Sequence, residues 1–291
     1  MQTIGIMANA GKEAALDVAR DADRHLRARG VSVRVQKYVA DALGRGGEGL
    51  ADEAVAEADA VLVLGGDGTF LATSRLCAPK GTPMLPVHLG RFGFLTEVAP
   101  RELGPALDDL LEGRATVDER MMLWGETVHA EADGRDQATF LALNDVVVAN
   151  GPLSRVLHLR LLIDGHYVTT YAADGVILAT PTGSTAYSLS AGGPLVHPSL
   201  QTLLVTPIAP HTLTARALLI PPASEVTLIV ERDPQDVVRV TVDGQLGFPL
   251  QPGDQIRVRR APCCAKLLTV GGASFYDKLQ SKLRWGEGLV Y

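Results

Sequence analysis

The chain is poor in the residues that would mark several common chemistries. Its 291 residues include three cysteines, Cys77, Cys263 and Cys264. They make no disulfide framework and no Cys-x-x-Cys pair for a metal, and the adjacent Cys263-Cys264 read as ordinary small residues near a strand end. The seven histidines are scattered, with no His-x-x-x-His spacing for a helical zinc site. A Gly-x-x-x-x-Gly-Lys-Ser/Thr loop is missing, which excludes a P-loop enzyme, and no Gly-x-Gly-x-x-Gly follows the first apolar run, which disfavours an ordinary hydride-transfer Rossmann enzyme. Thr182-Gly183-Ser184-Thr185-Ala186 is not a Gly-x-Ser-x-Gly elbow, so a serine hydrolase is disfavoured as well.

A long run of basic charge is also missing. The formal net charge is -6 and the basic residues form no long run, which argues against a nucleic-acid or anionic-membrane surface. No basic segment precedes a long apolar one near Met1, so neither a signal peptide nor a lipidation motif is expected, and the expected location is the cytoplasm. Between Asp174 and Arg216 there is no Asp, Glu, Lys or Arg. A membrane span needs about 20 mostly apolar residues in a row. Here Pro181, Pro194, Pro198, Pro207 and Pro210, with many hydroxyls, interrupt the stretch, which reads as buried or pocket-lining.

What is present supports real cores: 46% of the residues are hydrophobic and 21% charged. The length suits two domains of ~150 residues each. Ile4–Ala8 reads as a strand, followed by a turn at Asn9-Ala10-Gly11-Lys12. Ala14, Leu16, Val18, Ala19, Ala22 and Leu26 recur at helical spacing, with Gly30 as a stop. Strand-like runs at 31–35, 60–64 and 83–88 then alternate with helical or loop segments. The order predicts an α/β domain with an open parallel sheet over residues 1–116. Beyond Gly113 the texture changes to β-type runs joined by Asp133-Gly134, Asp164-Gly165 and Asp243-Gly244, the chemistry of tight hairpins. This predicts a β-rich, sandwich-like domain over 117–266, with strands at 156–163, 167–172, 226–230, 237–242 and 256–259. A tail at 267–291 turns helical near 276–283 and is expected to return to the first domain.

The strongest local signal is Gly65-Gly66-Asp67-Gly68-Thr69, between the apolar run Ala60–Leu64 and the start of a helix at Phe70. Glycines at a strand-to-helix turn let backbone N–H groups approach an anion. A carboxylate there would repel phosphate unless a cation is present or the carboxylate accepts a proton from an attacking hydroxyl. The plainer reading is that Asp67 caps the helix. Gly90 to Glu97 follows another strand end, and ligands of open parallel sheets bind beyond the carboxyl ends of the strands. In the second domain, Asn144-Asp145 opens an apolar strand. An amide beside a carboxylate can hold a sugar diol, and an Asx turn is the alternative. From Asp174 to Pro194 a strand runs into a loop dense in hydroxyls, with Tyr187 able to stack on a base.

In sequence order these pieces resemble the NAD kinase family. The resemblance rests on Gly65–Thr69, Gly93-Phe94-Leu95-Thr96, Asn144-Asp145, the run from Asp174 through Pro194, Pro207–Leu213, Asp243-Gly244-Gln245 and Lys282–Gly286. Gly65–Thr69 alone is shared with lipid kinases, and the Thr182–Ser190 run selects NAD kinase. The resemblance implies transfer of the γ-phosphoryl of ATP to the 2′-hydroxyl of the adenosine ribose of NAD, with a divalent cation such as Mg²⁺. It makes Asp67 the base, with Gly68 beside it at the NAD site, and puts Asn144 and Asp145 on ribose hydroxyls. Thr185, Ala186, Tyr187, Ser188, Leu189 and Ser190 would line the dinucleotide pocket, with Asp174 near the nicotinamide end. Arg155, Ala172 and Gln245 fall at further NAD-contact positions. Gly65, Gly66, Thr69, Asn9 and Lys12 are implied on the ATP and phosphate side, and the ligand is expected between the two domains. A homodimer or homotetramer built through the β-rich domain is implied too. Asp145 stands where most members carry Glu, Ala72 at a position that is often basic, and Arg91 at a variable position that could supply that charge. The alternatives are a lipid kinase sharing the glycine turn and a non-catalytic dinucleotide-binding sensor.

Overall fold

The continuous apolar run Ala60–Gly65 forms a strand buried at every position, as a parallel strand covered on both faces must be. In the computed structural model, which describes residues 1–9, 11–90, 93–96, 98–130, 136–151, 156–231, 238–271 and 274–283, the chain divides into two units. The first comprises Met1–Glu119 and Ala265–Tyr291, the second Arg120–Cys264.

In the first unit β1 (Thr3–Ala8), β2 (Ser32–Val35), β3 (Ala60–Gly65) and β4 (Met84–His88) lie in the order β2-β1-β3-β4, every neighbour parallel. The end of β16 (Gln255–Thr269) adds a fifth parallel strand, Leu267 pairing with Met84. Helix α1 (Glu13–Ala28) buries Ala15, Ala19, Ala22 and Leu26, three and four residues apart. Ala14 is exposed, and Leu16 and Val18 are half-buried at the edge of that face. Small alanines at its centre let the helix lie close to the strands. Helix α2 (Lys37–Ala42) was not legible in the sequence, because six residues are too few to set a period. Helices α3 (Asp52–Val55), α4 (Asp67–Cys77) and α5 (Leu103–Leu111) follow.

The second unit is antiparallel. It contains β6 (Thr139–Ala142), β7 (Asp145–Asn150), β8 (Leu157–Ile163), β9 (His166–Ala173), β10 (Gly175–Ala179), β11 (Leu203–Ile208), β12 (Leu218–Ile220), β13 (Val226–Val230), β14 (Val238–Val242), β15 (Leu246–Leu250) and most of β5 (Thr116–Val128). One sheet has the order β12-β11-β10-β7-β14-β15; in the other, β13 lies between β16 and β8, and β8 pairs with β9. Val146, Val148, Val176, Leu178, Val240 and Val242 from the first sheet pack on Leu159, Leu161, Leu228 and Ile256 from the second. The intervening Val147, Ile177 and Ala179 join Val196 and Leu204 on the opposite face. The central strands β7 and β10 are therefore covered on both sides, in a sandwich.

Asp164 and Asp243 take left-handed backbone, with φ of 52° and 50°, in the two hairpins that Asp-Gly predicts. Asp133-Gly134 lies outside the described residues. Strand β16 runs well past Arg259, so Cys263 and Cys264 sit in its interior rather than near its end, both half-buried. Helix α7 (Phe275–Leu283) matches the helical tail and belongs to the first unit. Arg284-Trp285-Gly286 lies outside the described residues.

Candidate active site

In the first unit β1 lies between β2 and β3, so the chain reverses its direction of winding between β1 and β3. That is the position where open parallel sheets bind ligands. Ala8 pairs with Leu64, and the N–H of Asn9 donates to Leu64 O at 2.9 Å. Asn9 Oδ1 accepts from Gly11 N at 2.9 Å, which tightens the turn. Lys12 Nζ reaches Leu89 O, just beyond β4, at 3.0 Å. Asn9, Lys12 and the Gly65–Thr69 turn are thus gathered at one edge of the sheet. Tyr38 and Gln36 hold that edge from beneath. Tyr38 OH donates to Ala8 O, and Gln36 Oε1 accepts from Ala8 N at 2.9 Å. Burial holds the Tyr38 phenol up, to about 12.

Helix α4 begins at Asp67 after Gly66, and no side chain caps it. Asp67 is the first helical residue and not the cap. Its carboxylate turns to a different segment: the N–H groups of Phe94 and Leu95 donate to it at 3.1 and 3.3 Å. Thr96 Oγ1 accepts from Gly93 N at 3.1 Å, which folds the segment into a tight turn. A Cβ on Gly93 would overlap the Asp67 carboxylate, so only glycine allows this approach. Gly65 in turn gives its side-chain space to Thr69. Gly68 is exposed, as is Ala72 further along α4, while Gly66, Asp67 and Thr69 are half-buried. Arg91 lies outside the described residues.

In the second unit a corner forms where β7 begins and β10 ends, Asp145 pairing with Ala179. Thr180 N–H donates to Asn144 O at 2.9 Å, and Thr180 Oγ1 donates to Leu143 O at 2.6 Å. Gly183 packs so closely on the Asn144 carbonyl that any side chain would overlap it. The Asp243 carboxylate, from the β14–β15 hairpin, accepts N–H groups of Leu143, Asn144 and Asp145 at 3.2, 2.8 and 3.3 Å. Asn144 is half-buried, while Asp145 is 5% exposed. Burial, and then the charge of Asp243, push the Asp145 carboxyl up to about 7. An amide and a hydrogen-bonding carboxyl side by side can accept from, and donate to, a vicinal diol.

The hydroxyl-rich loop is partly its own scaffold. Ser184 Oγ donates to Pro181 O at 2.6 Å and accepts from Val196 N at 3.0 Å, and the Ser188 hydroxyl pairs with Thr206 at 2.9 Å. Ser188 is therefore turned inward. Tyr187 and Ser190 are exposed on α6 (Tyr187–Ser190), with Thr185, Ala186 and Leu189 half-buried. Asp174 is exposed at the other end of β10, roughly 17 Å from Ala179 at ~3.3 Å per residue. Ala172 is half-buried near that end, its carbonyl accepting from His211 N at 2.8 Å. Gln245, exposed beside Gly244, lies on the Asp243 turn. Arg155 lies outside the described residues.

Sequence reasoning did not single out Asp243 as a site residue, since Asp-Gly between strands is accounted for by the turn alone. Nor did it link Gly93–Thr96 to Asp67. Among the described residues no group of three or more His, Cys, Asp or Glu side chains could hold a metal.

A family model described as the ATP-NAD kinase N-terminal domain matches residues 4–115, and one described as the ATP-NAD kinase C-terminal domain matches residues 143–270. The chain is 48% identical over 286 residues to a protein named NAD kinase from Moorella thermoacetica, covering 98% of this chain and 90% of that relative. It is 41% identical to one from Geotalea daltonii, covering 99% and 100%. Among solved structures it is similar to yeast NADH kinase complexed with NADH, with a TM-score of 0.86 and 27% identity over 99% of this chain and 89% of that one. An Archaeoglobus fulgidus NAD kinase in complex with ATP shares the fold at a TM-score of 0.76 and 23% identity, over 97% and 98% of the chains.

Proposed function

Because the chain belongs to the ATP-NAD kinase family, we propose that it transfers the γ-phosphoryl group of ATP to the 2′-hydroxyl of the adenosine ribose of NAD, giving NADP and ADP. The observation that carries the mechanism is the Asp67 carboxylate, fixed by two backbone N–H groups at the carboxyl end of β3. A ribose hydroxyl is a poor nucleophile unless it is oriented and its proton removed. Asp67 takes that proton as the hydroxyl oxygen bonds to the γ-phosphorus and the bond to the β,γ-bridging oxygen breaks. Because phosphoryl transfer needs chiefly positioning and charge neutralisation, the direction in which Asp67 points matters more than its strength as a base.

Asn144 and Asp145 hold ribose hydroxyls, with Gly68 beside the reacting one. Tyr187 packs against a base, and Thr185, Ala186, Leu189 and Ser190 line the dinucleotide. Ser188 supports that lining through Thr206. Asp174, Ala172, Arg155 and Gln245 complete the NAD contacts. Gly65, Gly66, Thr69, Asn9 and Lys12 face the phosphates of ATP, where N–H groups at a helix start and an ammonium suit an anion. A divalent cation such as Mg²⁺ would come with the ATP phosphates and would neutralise charge developing on them. The NAD domain in this reading spans 117–266, and the assembly is a homodimer or homotetramer. No helix among the described residues is long and apolar enough to cross a membrane, which fits the cytoplasmic location proposed with this reading.

The test is purified protein with NAD, ATP and Mg²⁺, read out by NADP formation, alongside a detergent-dispersed lipid acceptor. NADP and no phospholipid product is the expected result. Folded protein that binds NAD and yields no NADP would overturn the assignment in favour of a sensor, and lipid phosphorylation would overturn it in favour of a lipid kinase.

A further inference from the structure

The start of β7 is held by a turn far away in sequence. Asp243 accepts three backbone N–H groups in a row, from Leu143, Asn144 and Asp145, and its own N–H donates to Asp145 O at 2.9 Å. We infer that Asp243 is a positioning residue for NAD: it fixes residues 143–145 so that the Asn144 amide and the Asp145 carboxyl meet one ribose, and its charge couples NAD binding to release of a proton from Asp145. The inference rests on the NAD-kinase reading above and assigns a role to a residue outside its proposed contact set.

The turn alone does not require this side chain. Asn-Gly forms the same hairpin as readily as Asp-Gly, and asparagine tolerates positive φ at least as well. Asp164 sets the contrast: in the other Asp-Gly hairpin its carboxylate accepts the N–H of Glu225 at 2.8 Å, at the surface. Asp243 is 8% exposed and meets three converging donors. A carboxylate has lone pairs on two oxygens for three donors, whereas an amide would turn its NH₂ towards one of them. Such a seat is specific for Asp.

Its charge then bears on Asp145. Beside Asp145 lie Asp243 of the β14–β15 turn, whose charge it feels, and its pairing partner Ala179 of β10, while Arg120 of β5 approaches the next turn, Nη1 3.4 Å from Thr182 Oγ1. Burial and the Asp243 charge together hold the Asp145 carboxyl up to about 7. Two ribose hydroxyls that both donate to Asp145 are held more strongly by its ionised form, which accepts on both oxygens and donates to neither. Binding then favours release of the proton that burial and Asp243 hold there, so affinity rises with pH across the region near 7.

The experiment measures the NAD dissociation constant by calorimetry from about pH 5.5 to 8.5, with KM and kcat for NADP formation, on wild type, D243N and D243E. Wild-type affinity is expected to weaken by about tenfold per pH unit below the break near 7. D243N should raise the dissociation constant about tenfold at pH 8, leave kcat within about twofold, and move the break at least one unit lower. D243E keeps the charge and should keep the break near 7. Wild-type affinity that is flat across the range overturns the coupling whether or not D243N folds. Folded D243N that binds as wild type, or binds weakly with the break unmoved, overturns the role of Asp243. Calorimetry reads binding without turnover, so wild type that binds NAD with this profile and makes no NADP refutes the kinase assignment and leaves the role of Asp243 standing.

Discussion

Asp67 is half-buried at the end of a parallel strand and accepts the N–H groups of Phe94 and Leu95. Asp145 opens an antiparallel strand, is almost wholly buried, and lies beside a second carboxylate. In the first unit backbone donors aim a carboxylate and leave part of it to solvent or ligand. In the second, burial and a like charge raise the energy of the ionised form. Orientation and electrostatic tension are different devices, and the two carboxylates predict different failures when altered.

The largest effect should come from removing the carboxylate proposed to accept the proton. D67N should lower kcat by ~10²-fold or more, the usual scale for losing a general base, while the NAD dissociation constant changes little. Single-turnover rates and calorimetry check the two halves, and D67N with wild-type kcat would remove Asp67 from the chemistry. The next effect tests aim with the carboxylate retained. In G93A the new methyl group would occupy the space of the Asp67 carboxylate. The expected loss is between about tenfold and 10²-fold in kcat, as for an ångström-scale misplacement. G93A at full kcat would show that the aim of Asp67 does not matter. On the other side of the comparison, D145A should raise KM for NAD by roughly tenfold, for loss of charge-assisted hydrogen bonds, with a smaller change in kcat. Unchanged affinity would refute the ribose contact.

How much of this was legible depends on which atoms carry it. Ala60–Leu64, the glycine turn and the Asp-Gly hairpins are written in side-chain pattern and in the need for special backbone angles, and the sequence reading found them. The hydrogen bonds from Phe94 and Leu95 to Asp67, and from Leu143, Asn144 and Asp145 to Asp243, use main-chain N–H groups. Every residue but proline has one, so no residue type flags such a seat across dozens of positions. The hydroxyl-rich loop shows the converse. Its composition pointed to a ligand, yet Thr180, Ser184 and Ser188 spend their hydroxyls on Leu143, Pro181 and Thr206. Composition does not record direction. The length of β16 was lost because the exposed Arg259 and Arg260 and the half-buried Lys266 interrupt an apolar pattern that the pairing does not need.

The last expected effect is on stability rather than on turnover or binding, and it isolates the tension at Asp145 from the ligand. The Asp145 carboxyl titrates near 3.8 when unperturbed and near about 7 in the folded protein. Between those values the folded state holds the more protons, so stability falls as pH rises through the window and the loss is complete above about 7. Asparagine does not titrate. D145N should therefore match wild type closely near pH 4 and gain on it steadily, reaching on the order of 2 kcal/mol by pH 8, or several degrees in Tm. Thermal unfolding without NAD across that range is the measurement. D67N serves as the counterpart: removing a carboxylate that backbone donors stabilise should give no such gain at high pH. A stability difference for D145N that is the same at pH 4 and pH 8 would mean that Asp145 carries no electrostatic tension, and the contrast between the two carboxylates would reduce to their positions alone.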